Sequence, residues 1–118
     1  MKFIRVLKAL NENYDISLQE YIKDVQINLP KEFPIFKEKA ESIIKEFDPT
    51  ATVLKVDLTG SMKNGTATED SDIDIGIYYK GNISQDELNE KVQENAKGDP
   101  IFVSKEFGFL DCGFYKVN

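Results

Sequence analysis

The sequence predicts an α+β fold, a mixed β-sheet packed by helices with a short helical extension at the N-terminus. Three observations predict it. Apolar residues recur at helical spacing through the first forty-odd positions and then switch to a period of two between Thr52 and Leu58. Asp48-Pro49 stands at the switch as a helix stop. The order that follows is strand, glycine turn, strand, helix, strands, which fits helices layered on one sheet.

Phe3, Val6, Leu7 and Leu10 predict a first short amphipathic helix. A second is predicted to start at Ser17, whose hydroxyl forms a capping box with Glu20 and leads into a stripe of Leu18, Tyr21, Ile22 and Val25. Asn28-Leu29-Pro30 through Pro34 interrupts the pattern. From about Ile35 a third helix places Phe36, Ala40, Ile43, Ile44 and Phe47 on one face. Strand Thr52–Leu58 is expected to bury Leu54, Val56 and Leu58 and to expose Lys55 and Asp57. A second strand runs from Asp72 to about Tyr79, and Lys80-Gly81-Asn82 turns the chain. Ser84 and Glu87 offer another capping box, opening a helix through Leu88, Val92 and Ala96 that ends near Gly98. Ile101 to Val117, rich in β-branched and aromatic residues, supplies one or two short strands. Residues 1–30 are read as the helical extension and 31–118 as the core.

Composition narrows the chemistry. The 118 residues fit one domain, and no apolar run approaches the roughly 20 residues of a membrane span. A single cysteine, Cys112, and an N-terminus without a secretory pattern point to a reducing compartment, the cytoplasm. With no histidine, His-dependent nucleophilic catalysis and His-ligated zinc are excluded. A net charge of −6 argues against a nucleic-acid partner. Carboxylates, hydroxyls, lysines and a recruited hard cation remain.

In Asp72-Ile73-Asp74-Ile75-Gly76-Ile77-Tyr78, strand alternation sends the three isoleucines into the core and both aspartates to the other face. Neighbouring carboxylates repel, and a Mg²⁺ or Mn²⁺ ion between them relieves that repulsion. Upstream, Gly60-Ser61 follows a strand; a glycine there lets backbone N–H groups approach a phosphate, and the Ser61 hydroxyl adds a donor. Other phosphate and cation motifs fail on spacing. Thr66 stands where a Walker loop needs lysine, and Ile75 and Gly81 stand where an EF-hand needs glycine and glutamate.

Gly60-Ser61, ten residues, then Asp72-Ile73-Asp74 resembles the signature of the DNA polymerase β-like nucleotidyltransferase superfamily. Gly65-Thr66-Ala67-Thr68-Glu69-Asp70-Ser71-Asp72-Ile73-Asp74 is similar to the text of its small prokaryotic members, the minimal nucleotidyltransferases. The match is good over residues 35–80, looser over the C-terminal third, and excludes residues 1–30. The resemblance implies a palm-like fold and transfer of a nucleoside monophosphate, AMP from ATP in the leading case, to a hydroxyl acceptor. It implies that Asp72 and Asp74 bind divalent cations and that Gly60 and Ser61 hold the β- and γ-phosphates. A third carboxylate on a later strand would bind metal and deprotonate the acceptor; Asp111 is the flanked candidate.

Two departures from the pattern bear on this. Asn64 replaces an arginine common in relatives, and Lys63, one place earlier, is the substitute charge, without the bidentate geometry of arginine. The chain also stops in mid-pattern at Phe114–Asn118, so the third acid is either Asp111 or one on a strand beyond a turn that Asn118 begins. A weakly active regulatory module, such as an antitoxin working through protein contact, and a fragment of a larger enzyme are the alternatives. The acceptor stays open among protein tyrosine, RNA end and small antibiotic.

Overall fold

The computed structural model describes residues 14–118; the helix expected around Phe3–Leu10 lies outside them. Helix α1 spans Tyr14–Asn28, so it is already under way at Ser17, where the sequence predicted its start. A 3₁₀ turn, Leu29–Glu32, has Pro30 early in it, where a missing N–H costs nothing, and leads into α2, Phe33–Phe47. Tyr21, Ile22 and Val25 of α1 and Phe36, Ala40 and Ile44 of α2 are buried in one cluster with the sheet. The apolar stripes of α1 and α2 are therefore packing surface.

Four strands follow: β1 (Thr52–Thr59), β2 (Asp74–Lys80), β3 (Phe102–Ser104) and β4 (Gly108–Lys116). Between them lie α3 (Gly60–Asn64) and α4 (Gln85–Ala96). The sheet order is β1-β2-β4-β3. β1 pairs antiparallel with β2, β2 parallel with β4, and β4 antiparallel with β3, so the sheet is mixed as expected. Ser84 caps α4 by accepting from the Glu87 N–H at 3.2 Å, half of the expected box. Lys97 ends that helix in the left-handed region at φ 52°.

One strand assignment is corrected. Leu54 does not face the core: it is 40 % exposed, and Val53 is buried in its place. The ladder between β1 and β2 shifts between Val53 and Lys55, and this irregularity turns Leu54 outward while Val56 and Leu58 stay inside. β2 also begins at Asp74, two residues later than expected.

The two ends of the β1–β2 ladder are held differently. At the Thr52 end, buried Asp48 accepts from the Asn82 N–H (2.7 Å), the Ile83 N–H (3.0 Å), and the Thr50 N–H and hydroxyl. One carboxylate thus ties the α2–β1 loop to the β2–α4 loop. β3 pairs with β4 only from Gly108 to Leu110. Beyond that, α4 serves the edge of β4: Asn89 bonds both the N–H and the C=O of Phe114, and Gln85 accepts from the Lys116 N–H. Among the described residues no helix is long and apolar enough to cross a membrane.

Candidate functional site

The register of three strands builds the site. Thr59, the last residue of β1, pairs with Asp74, the first of β2, and Asp74 pairs with Asp111 of β4. Because side chains directly across a ladder share a face, Thr59, Asp74 and Asp111 form one rung on the face opposite Ile75, Ile77 and Phe114. Asp111 donates its N–H to the Ile73 carbonyl at 2.9 Å, which continues the pairing back toward Asp72. Asp72 is exposed and precedes the strand.

Gly60 closes the rung from above. It opens α3 with φ 70°, a backbone conformation that penalises any Cβ. A Cβ built there would stand 2.6 Å from Oδ2 of Asp74. The glycine therefore serves two needs at once, the bend out of β1 and room for the carboxylate. Gly65, at φ 76°, ends the same short helix. Gln26 of α1 fixes its far side by donating to the carbonyls of Met62 (2.8 Å) and Lys63 (3.3 Å).

The electrostatics report crowding. Burial, then the charge of Asp111, then that of Asp72, raises the Asp74 pKa above the ordinary carboxylate value. Asp111 and Asp72 thus both lie within electrostatic reach of Asp74. A cavity of about 330 Å³ is bordered by Thr59, Gly60, Asp74, Asp111, Gly113 and Tyr115. A second, of about 660 Å³, is bordered by Asp72, Asp111, Phe109 and Ile101, so Asp111 stands at the wall between them. Among the described residues no group of three or more acid or thiol side chains is placed to hold a metal ion. The pair Asp74 and Asp111, two oxygen donors on one rung beside an open cavity, is of the chemical type that a hard divalent cation with other ligands of its own would take.

The structure brings together Gly60, Asp74 and Asp111, with Asp72 in electrostatic contact. Ser61 is half-buried in α3, and its carbonyl accepts from the Thr66 N–H at 3.0 Å. The Lys63 ammonium pairs with Asp57 at 3.6 Å, on the acid-bearing face of β1, where Lys55 also approaches Asp57 at 3.9 Å. Burial pushes the Cys112 thiol up to about 11, with Asp111 adding to the effect, so it is a poor nucleophile.

Sequence reasoning did not find Gln26, Lys55, Asp57 or Tyr115. Only strand register reveals that Asp57 and Tyr115 share the face of Asp74. Alternation along β4 does place Tyr115 on the same side as Asp111, and that signal was available.

A family model for the nucleotidyltransferase domain matches residues 37–109, more than half of the chain. No curated protein and no solved structure matches it significantly.

Proposed function

The chain belongs to the nucleotidyltransferase domain family, and from that premise we propose that it moves a nucleoside monophosphate, AMP from ATP in the leading case, onto a hydroxyl acceptor with release of pyrophosphate. The observation that carries the reading is the packing of Gly60 against the Asp74 carboxylate in the rung that also holds Asp111. That contact sets a backbone able to approach phosphates beside acids that a divalent cation would neutralise.

Asp72, Asp74 and Asp111 would hold Mg²⁺ or Mn²⁺. When bound, such a cation neutralises the clustered carboxylates and the triphosphate and stabilises the leaving pyrophosphate. Gly60 and Ser61 present backbone N–H groups and a hydroxyl to the β- and γ-phosphates. Lys63 exchanges Asp57 for a phosphate oxygen, a swing within reach of a flexible side chain. Asp111, at the wall between two cavities, takes the proton of the acceptor hydroxyl as its oxygen attacks the α-phosphorus. The bond from that phosphorus to the bridging oxygen then breaks, and pyrophosphate leaves. A reducing, ATP-rich cytoplasm suits this chemistry.

With water standing in for the acceptor, α-labelled ATP and Mg²⁺ are expected to yield labelled AMP and pyrophosphate, not ADP and phosphate. Pyrophosphate release that persists after Asp72 and Asp74 are both replaced by alanine would falsify the mechanism.

A further inference from the structure

The face that carries the acids continues into an aromatic platform. Next to the Thr59–Asp74–Asp111 rung lie Asp57, Gly76 and Gly113, and next to those Lys55, Tyr78 and Tyr115. The two tyrosine rings stack with centroids 5.4 Å apart and planes at 27°, and the Lys55 ammonium sits 5.0 Å from the Tyr78 centroid. Neither ring stands upright on the sheet. A Cβ at Gly113 would meet the Tyr115 hydroxyl at 3.0 Å, and one at Gly76 would meet Tyr115 Cε2 at 3.2 Å and Tyr78 Cε2 at 3.0 Å. The glycine pair is a trough in which Tyr115 lies back along its own strand, toward Asp111. Its hydroxyl rests over Gly113, one alternate strand position, roughly 6 to 7 Å, from Asp111. Tyr115 is 39 % exposed and borders the cavity shared with Gly60, Asp74 and Asp111.

We infer that Tyr115 is itself an acceptor, and that the chain attaches a nucleoside monophosphate to its own phenolic oxygen. The inference rests on the proposed transferase activity. In the step, the Tyr115 oxygen forms a bond to the α-phosphorus of the nucleoside triphosphate while the bond from that phosphorus to pyrophosphate breaks. The phenolic proton passes to the Asp111 carboxylate and then to solvent. The products are one tyrosyl phosphodiester and one pyrophosphate, with no change of oxidation state. A tethered acceptor that borders the same cavity as Asp74 and Asp111 needs no encounter with a second molecule, so the reaction is expected within one chain.

The test is the intact mass of the full chain, first as purified and then after incubation with Mg²⁺ and each nucleoside triphosphate. The expected result is a gain of one nucleoside monophosphate, mapped by fragmentation to Tyr115, at a rate independent of protein concentration. Tyr115→Phe abolishes the gain yet keeps the thermal stabilisation that Mg²⁺ and ATP give the wild type, showing that its nucleotide site is intact. Tyr78→Phe, which keeps the stack, leaves the modification in place. No mass gain, or a gain mapped to another residue, overturns the inference. If the gain is absent while Asp74-dependent pyrophosphate release continues, only the inference fails. If both are absent, the transferase reading fails with it.

Discussion

The two ends of the β1–β2 ladder each hold an aspartate in a partly desolvated position, and they hold it in opposite ways. Asp48, at the Thr52 end, is buried and satisfied: the Thr50 hydroxyl and the Ile83, Asn82 and Thr50 N–H groups lower its pKa to about 2. Asp74, at the Thr59 end, is half-buried and crowded: desolvation, Asp111 and Asp72 raise its pKa. One acid is a structural clamp whose donors come from the fold. The other is held against the repulsion of two neighbouring acids. Crowding of this kind, with a raised carboxylate pKa beside a cavity, is a common pattern at functional sites.

The largest effect is expected where the contrast is sharpest. Asp74→Ala should lower nucleotidyl transfer on the order of 10³-fold, since losing several kcal/mol of metal-assisted stabilisation is worth about three decades in rate. Its denaturation midpoint without divalent ions should equal or exceed that of the wild type, because a crowded charge has been removed. Stability and activity measured on one preparation separate the two. A variant that loses activity only because it unfolds would abolish the contrast.

Asp48→Ala should do the reverse. It leaves the Asn82 and Ile83 N–H groups without their acceptor, and at buried Ile83 an unsatisfied donor costs more than a lost bond. Urea unfolding should shift to lower midpoint with little change in slope. The fraction still folded should keep its transfer rate. A proportional fall in rate per folded molecule would mean that the two ends are coupled.

Gly60→Ala sits between these classes. The left-handed backbone at φ 70° costs about 1 to 2 kcal/mol with a Cβ, and the added methyl also displaces the Asp74 carboxylate. The variant should fold with that modest loss and show a weaker Mg²⁺- and ATP-dependent rise in melting temperature. An unchanged ligand-induced rise would sever the bend from the acid.

How far this contrast could be read in the sequence differs between its ends. The crowded end was legible because Ile73, Ile75 and Ile77 fix which way Asp74 points, and Gly60 precedes it at a telling distance. The clamp was not. Asp48 looked like a helix stop: Thr50 is a local partner, but the Asn82 and Ile83 N–H groups that make it a clamp are main-chain donors more than thirty residues away that carry no side-chain signature. Likewise, adjacent apolar residues Val53 and Leu54 let the alternation be read in either register, and only the shift in the ladder decides between them. The tyrosine platform needed the parallel pairing of β2 with β4, which no local pattern encodes.

The smallest effect is the dependence of stability on pH, and there the two aspartates differ in sign. Asp48 has a folded pKa of about 2 against an ordinary 3.8, so the stability it gives is fully present above 3.8 and is lost as pH falls toward 2. Asp74 has a raised folded pKa, so its protonated form is the better tolerated one, and the fold loses stability as pH rises through that value. Melting temperature followed from pH 2 upward should climb steeply through the Asp48 window, with the climb reduced in Asp48→Asn. Above that window Asp74→Asn should lie at or above the wild type, and Mg²⁺ should close the difference by stabilising the ionised form of Asp74. If Asp74→Asn lies below the wild type throughout, the raised pKa does not reflect strain at the acid rung, and the case for a site held ready for a cation loses its thermodynamic support.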